Sequence, residues 1–268
     1  MKKRILLCFA TILLIVCTSC DASINSTEYT ISSYDEESRI EITVSDQSNP
    51  AESSNAPSNA SFLVKEKKLS FEGTDLVLLD ITNESNTCYS ITISGSFYDQ
   101  NGTELYSEKK VFDQFSAGFQ NCFLFDPKIN FSDFKYTIEV SPYSGAEYAK
   151  GISFHFVGIE EGRGMITSQV QQGDLTKYPT LYAKFTYRSD CDVSVMAAAT
   201  LILYNANDEI VAIKNYTPLV TPEMEFGDDE KVWELCQTTD DKLIWPEKYK
   251  GEIKALICIR DVTDQIPQ

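Results

Sequence analysis

The chain has 268 residues, 40 acidic against 23 basic side chains, a net charge of −17 and one histidine. Binding phosphate needs a basic face, so a chain with a pI near 4.4 is not built for nucleic acid. A single histidine also excludes HExxH zinc sites and multi-histidine metal centres, and no motif implies a cofactor. Aromatic residues make up 12%, with 14 Tyr and 15 Phe, which is ample bulk for the core of one or two domains.

Lys2, Lys3 and Arg4 precede an apolar run over residues 5–16. Twelve residues are too few to cross a bilayer as a helix, but they match the apolar region of a secretory signal. The run ends in Val16-Cys17-Thr18-Ser19-Cys20-Asp21. A small residue before a cysteine at this place resembles the lipobox of bacterial lipoproteins, and Cys17 stands where that family carries an aliphatic residue. The resemblance implies that residues 1–20 hold a lipoprotein signal and that Cys20 is diacylated to become the mature N-terminus. Two acyl chains give stable attachment to the extracytoplasmic face of a cell membrane. Loss of residues 1–19 removes Lys2, Lys3 and Arg4 and no acid, taking the net charge from −17 to −20. Such a surface is repelled by anionic headgroups, so the lipid rather than the fold does the anchoring. An ordinary signal cut elsewhere, or an uncleaved anchor with Cys20 as a plain thiol, are the other readings.

Residues 21–60 contain ten Ser, eight acids, four Asn and one base, Arg39. So little apolar surface does not offset the entropy of ordering, which predicts a disordered tether spanning about 35 Å. Within it, Arg39-Ile40-Glu41-Ile42-Thr43-Val44 alternates like a short strand.

From Ser61 onward the texture is β. Runs at 75–82, 90–99, 135–141, 151–157, 181–187, 197–204, 209–215 and 253–260 are rich in Val, Ile, Tyr, Phe and Thr and are bounded by Gly, Asn, Asp and Pro. Short strands at regular spacing predict an all-β chain of two tandem small, Ig-like β-sandwiches, at residues 61–148 and 149–268. An internal repeat supports the division. Residues 80–102 align without gaps on 186–208, and each copy ends a strand in an aromatic residue followed by Asp or Asn. The first turn, Asp99-Gln100-Asn101-Gly102, is a hairpin signal, since Asn-Gly tolerates positive φ.

Phe97-Tyr98-Asp99 and Leu203-Tyr204-Asn205 in these copies resemble the signature of the FxLYD domain, a β-sandwich module of bacterial secreted proteins and lipoproteins. The first copy lacks the leading Phe of that signature, and the second has Asn205 in place of its Asp. The resemblance implies a sandwich fold and carries no catalytic residue.

Five cysteines follow the anchor region: Cys88, Cys122, Cys191, Cys236 and Cys258. The repeat places Cys122 and Cys236 on equivalent strands, and Cys88 and Cys191 near equivalent junctions. In an oxidising compartment this suggests Cys88–Cys122 and Cys191–Cys236 bridges, with Cys258 unpaired; buried free thiols are the alternative. His155 lies on a strand without nucleophile-elbow or cysteine-protease motifs and reads as an ordinary strand histidine. Ser107-x-x-Lys110 and Ser132-x-x-Lys135 lack the helical setting and the Lys-Thr-Gly of penicillin-interacting enzymes. Asp99–Glu104 lacks the remaining ligands of a calcium loop, and the acids at 228–230 and 240–241 read as solvated turns. The aromatic series Phe112, Phe115, Phe119, Phe123, Phe125, Phe131, Phe134 and Tyr136 is expected mostly in the core.

No catalytic, metal or cofactor residue emerges. The reading is therefore a non-enzymatic, lipid-anchored extracytoplasmic protein whose β-sandwiches bind an envelope protein or cell-wall component. An envelope hydrolase using paired carboxylates is the alternative, and a solute-binding lipoprotein comes after it because the two-lobed α/β pattern is absent.

Overall fold

A computed structural model of the protein describes residues 26–30, 37–44, 58–165, 177–220, 231–237 and 243–264. Cys8, Cys17, Cys20 and the acids at 228–230 and 240–241 lie outside the described residues. The described residues are built almost wholly from strands, as the composition predicts. In order these are β1 Ser26–Thr30, β2 Glu37–Val44, β3 Ser58–Phe71, β4 Thr74–Asn83, β5 Tyr89–Tyr98, β6 Glu104–Phe115, β7 Gln120–Phe125 and β8 Asp133–Pro142. Then come β9 Ser153–Met165, β10 Lys177–Arg188, β11 Val195–Asn205, β12 Ile210–Tyr216, β13 Leu219–Val220, β14 Lys231–Gln237 and β15 Ile253–Asp264.

The strands form antiparallel sheets in the orders β1-β8-β5-β6 and β2-β3-β4-β7, then β14-β10-β9 and β12-β11-β13 with β15 also on β11. The order β3-β4-β7 over β8-β5-β6 recurs as β9-β10-β14 over β15-β11-β12. The described strands of residues 26–142 and 153–264 are thus two halves of one strand order, and an isolated bridge joins Ser70 of one to Glu209 of the other.

The repeat extends to individual hydrogen bonds. Asp99 Oδ1 accepts the N–H of Asn101 and of Thr103, both at 2.8 Å. Asn205 Oδ1 accepts those of Asn207 at 2.9 Å and Glu209 at 3.1 Å. Both turns end in a left-handed residue, Gly102 with φ +78° and Asp208 with φ +61°. At the other end of the repeat, Asn83 Oδ1 accepts the Ser85 N–H as Ser189 Oγ accepts that of Cys191.

Period-two alternation explains the first core. Tyr89, Ile91, Ile93 and Phe97 of β5 point inward, and Phe112, Phe115, Phe119, Phe123, Phe125, Phe134 and Tyr136 join them, with Phe131 packed alongside. Gly95 breaks the pattern for space: a Cβ there would lie 2.8 Å from ring atoms of Phe125 and Phe134. The second half has its own cluster around Leu181, Ala183, Phe185, Leu201 and Leu203.

Two expectations need correcting. Within residues 21–60, β1 pairs with β8 and β2 pairs with β3, so these segments belong to the first half rather than to a disordered tether. The physical reason is the alternation at 39–44, which puts Ile40 and Ile42 on one face, where both are 2% exposed in the core. The second correction concerns the thiols: Cys88, Cys122, Cys191 and Cys236 are all free, as is Cys258. Cys122 alternates onto the face of β7 turned away from the first core and joins the cluster that holds Cys258, whereas Cys88 sits 3.9 Å from the Ser116 hydroxyl. Cys191 packs with the first core and Cys236 against the second.

Candidate functional site

The halves meet through a third apolar cluster. Leu69, Leu76, Leu78 and Cys122 on the back of one sheet pack against Ile202, Tyr204, Ile210 and Cys258 on the back of another. Leu76, Leu78 and Ile202 are 0–1% exposed, and full burial of such a side chain contributes about 1.5–3 kcal/mol. Buried carboxamides close the seam at the strand edges. Asn121 donates to the Ile259 carbonyl and accepts from the Ile259 N–H, both at 2.8 Å, so one side chain completes what a neighbouring strand's backbone would otherwise supply. Gln114 donates to the Val262 carbonyl at 2.8 Å and accepts the Ala149 N–H at 3.0 Å, tying the connector between the halves to both.

Beside this seam opens a cleft of about 520 Å³. The first half supplies Asp80 of β4 and residues 117–122, the connector supplies Lys150 to Ser153, and the second half supplies Phe154, Phe156, Arg188, Asp190 and residues 255–257 and 259. Phe154, Phe156, Leu256 and Ile257 give its lining apolar surface, and Asp80, Gln120, Lys150, Arg188 and Asp190 give it polar and charged groups.

The polar groups are held in place. Both oxygens of Asp80 accept from Gln120 Nε2, at 2.9 and 2.8 Å. Burial raises the Asp80 carboxyl above its ordinary range, opposed by the Gln120 hydrogen bond and the Lys65 charge. Arg188 reaches Asp190 through Nε at 3.2 Å and Nη2 at 3.1 Å. Gly151 turns the connector with φ +65°, and a Cβ there would lie 2.4 Å from the Asp190 carboxylate. The Asp190 N–H donates to the Lys150 carbonyl at 3.2 Å, fixing that turn against the Arg188–Asp190 pair. Two carboxylates, Asp80 and Asp190, thus line the cleft, each engaged by a neighbour. The lining is suited to holding a ligand that carries amide or charged groups together with apolar bulk.

Of the residues singled out in sequence, Phe119 and Cys122 line this site, and the others described lie around it. Phe97 and Leu203 are core, Tyr98 and Asp99 form the first turn, and Tyr204 packs in the seam with Asn205 opening the second turn. Cys122 alone among the singled-out cysteines touches both seam and cleft. His155 is exposed on β9, opposite Thr186. Ser107 is exposed on the edge strand β6, and Lys135 lies 5.0 Å over the Tyr98 ring. Among the described residues no group of three His, Cys, Asp or Glu side chains is placed to hold a metal, and no helix is long and apolar enough to cross a membrane.

One titratable group stands apart. Glu66 of β3 faces the first core at 2% exposure, and neither carboxylate oxygen has a hydrogen-bond partner among the described residues. Burial, with the nearby charge of Asp133 adding to it, pushes this carboxyl up to about 7.

Reading the sequence by its repeat missed the cleft and the seam, yet a signal for the seam is present. Leu76-Val77-Leu78-Leu79 and Leu201-Ile202-Leu203-Tyr204 are continuous apolar runs, the mark of a strand buried on both faces. No protein-family model matches the chain, and no curated protein matches it.

Proposed function

We propose that the protein is an exported, lipid-anchored, non-enzymatic binding protein. A diacyl group on Cys20 holds it at the extracytoplasmic face of the cell membrane, and its FxLYD-like halves take an envelope protein or cell-wall component in the seam cleft. The order of basic residues, apolar run and lipobox-like cysteine supports the anchor. One observation carries the binding role: an open cleft of about 520 Å³ between the halves, lined by apolar residues and by fixed charges of both signs. A hydrolase built on Asp80 and Asp190 has less support, because Gln120 and Arg188 already engage them.

Crosslinking in intact cells, followed by capture of the protein, tests both parts. Cys20→Ser is expected to move the protein out of the membrane fraction. Ser153→Trp, which fills the cleft from the first residue of β9, is expected to remove the captured envelope protein or wall fragment with no change in far-ultraviolet circular dichroism. Undiminished capture by folded Ser153→Trp rejects the cleft as the binding surface.

A further inference from the structure

The seam brings two thiols together that the strand order keeps far apart in sequence. Cys122 lies on β7, an edge strand of the first half, and Cys258 lies on β15 of the second. Both are buried, at 7% and 4% exposure, in one cluster. The strands carrying them are fixed by the residues next to them in sequence, because the Asn121 carboxamide makes both of its hydrogen bonds to the backbone of Ile259. The neighbouring Cys258 thiol, together with burial, holds the Cys122 thiol well above its ordinary range. Among the described residues, Cys88, Cys191 and Cys236 have no such thiol neighbour; the Cys88 sulfur faces a serine hydroxyl.

From this geometry we infer that Cys122 and Cys258 are a bridging pair, closed to a disulfide by a small-molecule or protein disulfide oxidant, which joins the two halves covalently across the seam. The location of such an oxidant rests on the proposed export of the chain. The chemistry is two thiol–disulfide exchanges. One thiolate attacks a sulfur of the oxidant disulfide, forming a mixed disulfide and releasing one oxidant thiol. The second thiolate attacks the protein sulfur of that mixed disulfide, forming the Cys122–Cys258 bond and releasing the other oxidant thiol. The pair of electrons lost by the cysteines reduces the oxidant, whose two sulfurs take up the two protons. A buried thiol with a raised pKa reacts slowly, so closure belongs to folding, before the seam is packed. The closed loop holds roughly 135 residues, the regime in which a crosslink restricts the unfolded chain most.

The test is refolding of the full chain from urea in a buffer of oxidised and reduced glutathione, followed by alkylation, proteolysis and mass spectrometry. The expected product is a peptide pair joined through Cys122 and Cys258, 2 Da lighter than the two free peptides. Its thermal midpoint is expected to exceed that of the reduced protein by on the order of 10 °C. A variant with Cys88, Cys191 and Cys236 all changed to Ala is expected to form the same bond. Recovery of Cys122 and Cys258 in alkylated form, or joined to other cysteines, overturns the pairing. Trapping of thiols in acid-quenched cells separates the two layers of the inference. Free thiols in cells together with a bond in the refolded protein overturn the export reading and leave the pairing standing. Unjoined thiols after refolding overturn the pairing whatever the cells show.

Discussion

β5 and β11 are equivalent strands: each lies between a hairpin partner and a strand from the end of its half, and each runs into the same side-chain-braced turn. Their inward faces are alike, but their outward faces are not. β5 turns out Ser90, Thr92, Ser94 and Ser96, where β11 turns out Met196, Ala198, Thr200 and Ile202. The reverse holds one strand earlier. β4 turns out Leu76 and Leu78, and the aligned positions of β10 are Tyr182 and Lys184. Each half therefore has one apolar back, and the two backs are on opposite sheets. That asymmetry makes the contact head-to-tail, β4 of the first half against β11 of the second, and leaves each half's other back polar. A duplicated fold supplies the same strands twice; which faces meet is decided by a few side chains on equivalent positions.

The comparison is broken most severely by exchanging those side chains. Leu78→Lys buries an unpaired charge in the seam and is expected to cost about 3–5 kcal/mol by urea denaturation. Lys184→Leu, the reciprocal change at the aligned position, loses an ion pair with Glu160 and is expected to stay within about 1 kcal/mol. Similar costs for the two would mean that the backs of β4 and β10 are not different in kind.

A second difference separates the cores. Glu66 in β3 faces Leu79, and the aligned position of the second half, opposite Phe185, is Phe156. The Glu66 carboxyl is raised from 4.5 to about 7, so its contribution to stability is intact below 4.5 and is lost as pH climbs to 7. Glu66→Gln is expected to flatten that window and to stabilise the protein by about 1–3 kcal/mol at pH 8, with little change at pH 4. Chemical denaturation across pH measures it, and a parallel pH curve for variant and parent would discard the assignment.

The turns offer the smallest contrast. Backbone N–H groups of Thr103 and Asn101 hold the Asp99 carboxyl below its ordinary range, so what it adds is present above about pH 4 and fades as the carboxyl protonates. Asn205 makes the same bonds with a side chain that does not titrate. Acidification is expected to reduce amide-exchange protection at Asn101 and Thr103 and to leave it unchanged at Asn207. Equal loss at both turns would show that the shared hydrogen bonds are not what orders them.

Local chemistry was legible in the chain. The alternation of β5, the gapless repeat and the Asn-Gly turn each specify their own structure, since side-chain direction and allowed φ are properties of neighbouring residues. The same rule applied to 39–44 reveals β2, and composition alone obscured it. The cleft was not legible, because Asp80, Gln120, Arg188 and Asp190 come from three stretches with no shared motif. Nor were the cysteine contacts. Equivalent positions in a repeat pointed to bridges within each half, whereas a sulfur's neighbour is set by which sheet backs are packed together.

Taken alone, the sequence specified an acidic, strand-built chain with a repeated strand-and-turn pattern, all of it information carried over a few residues at a time. The tertiary structure decided the head-to-tail seam, the thiol pair within it and the cleft beside it. Those depend on faces more than a hundred residues apart, and the free energy that joins them is the burial of apolar surface, which has no direction along the chain.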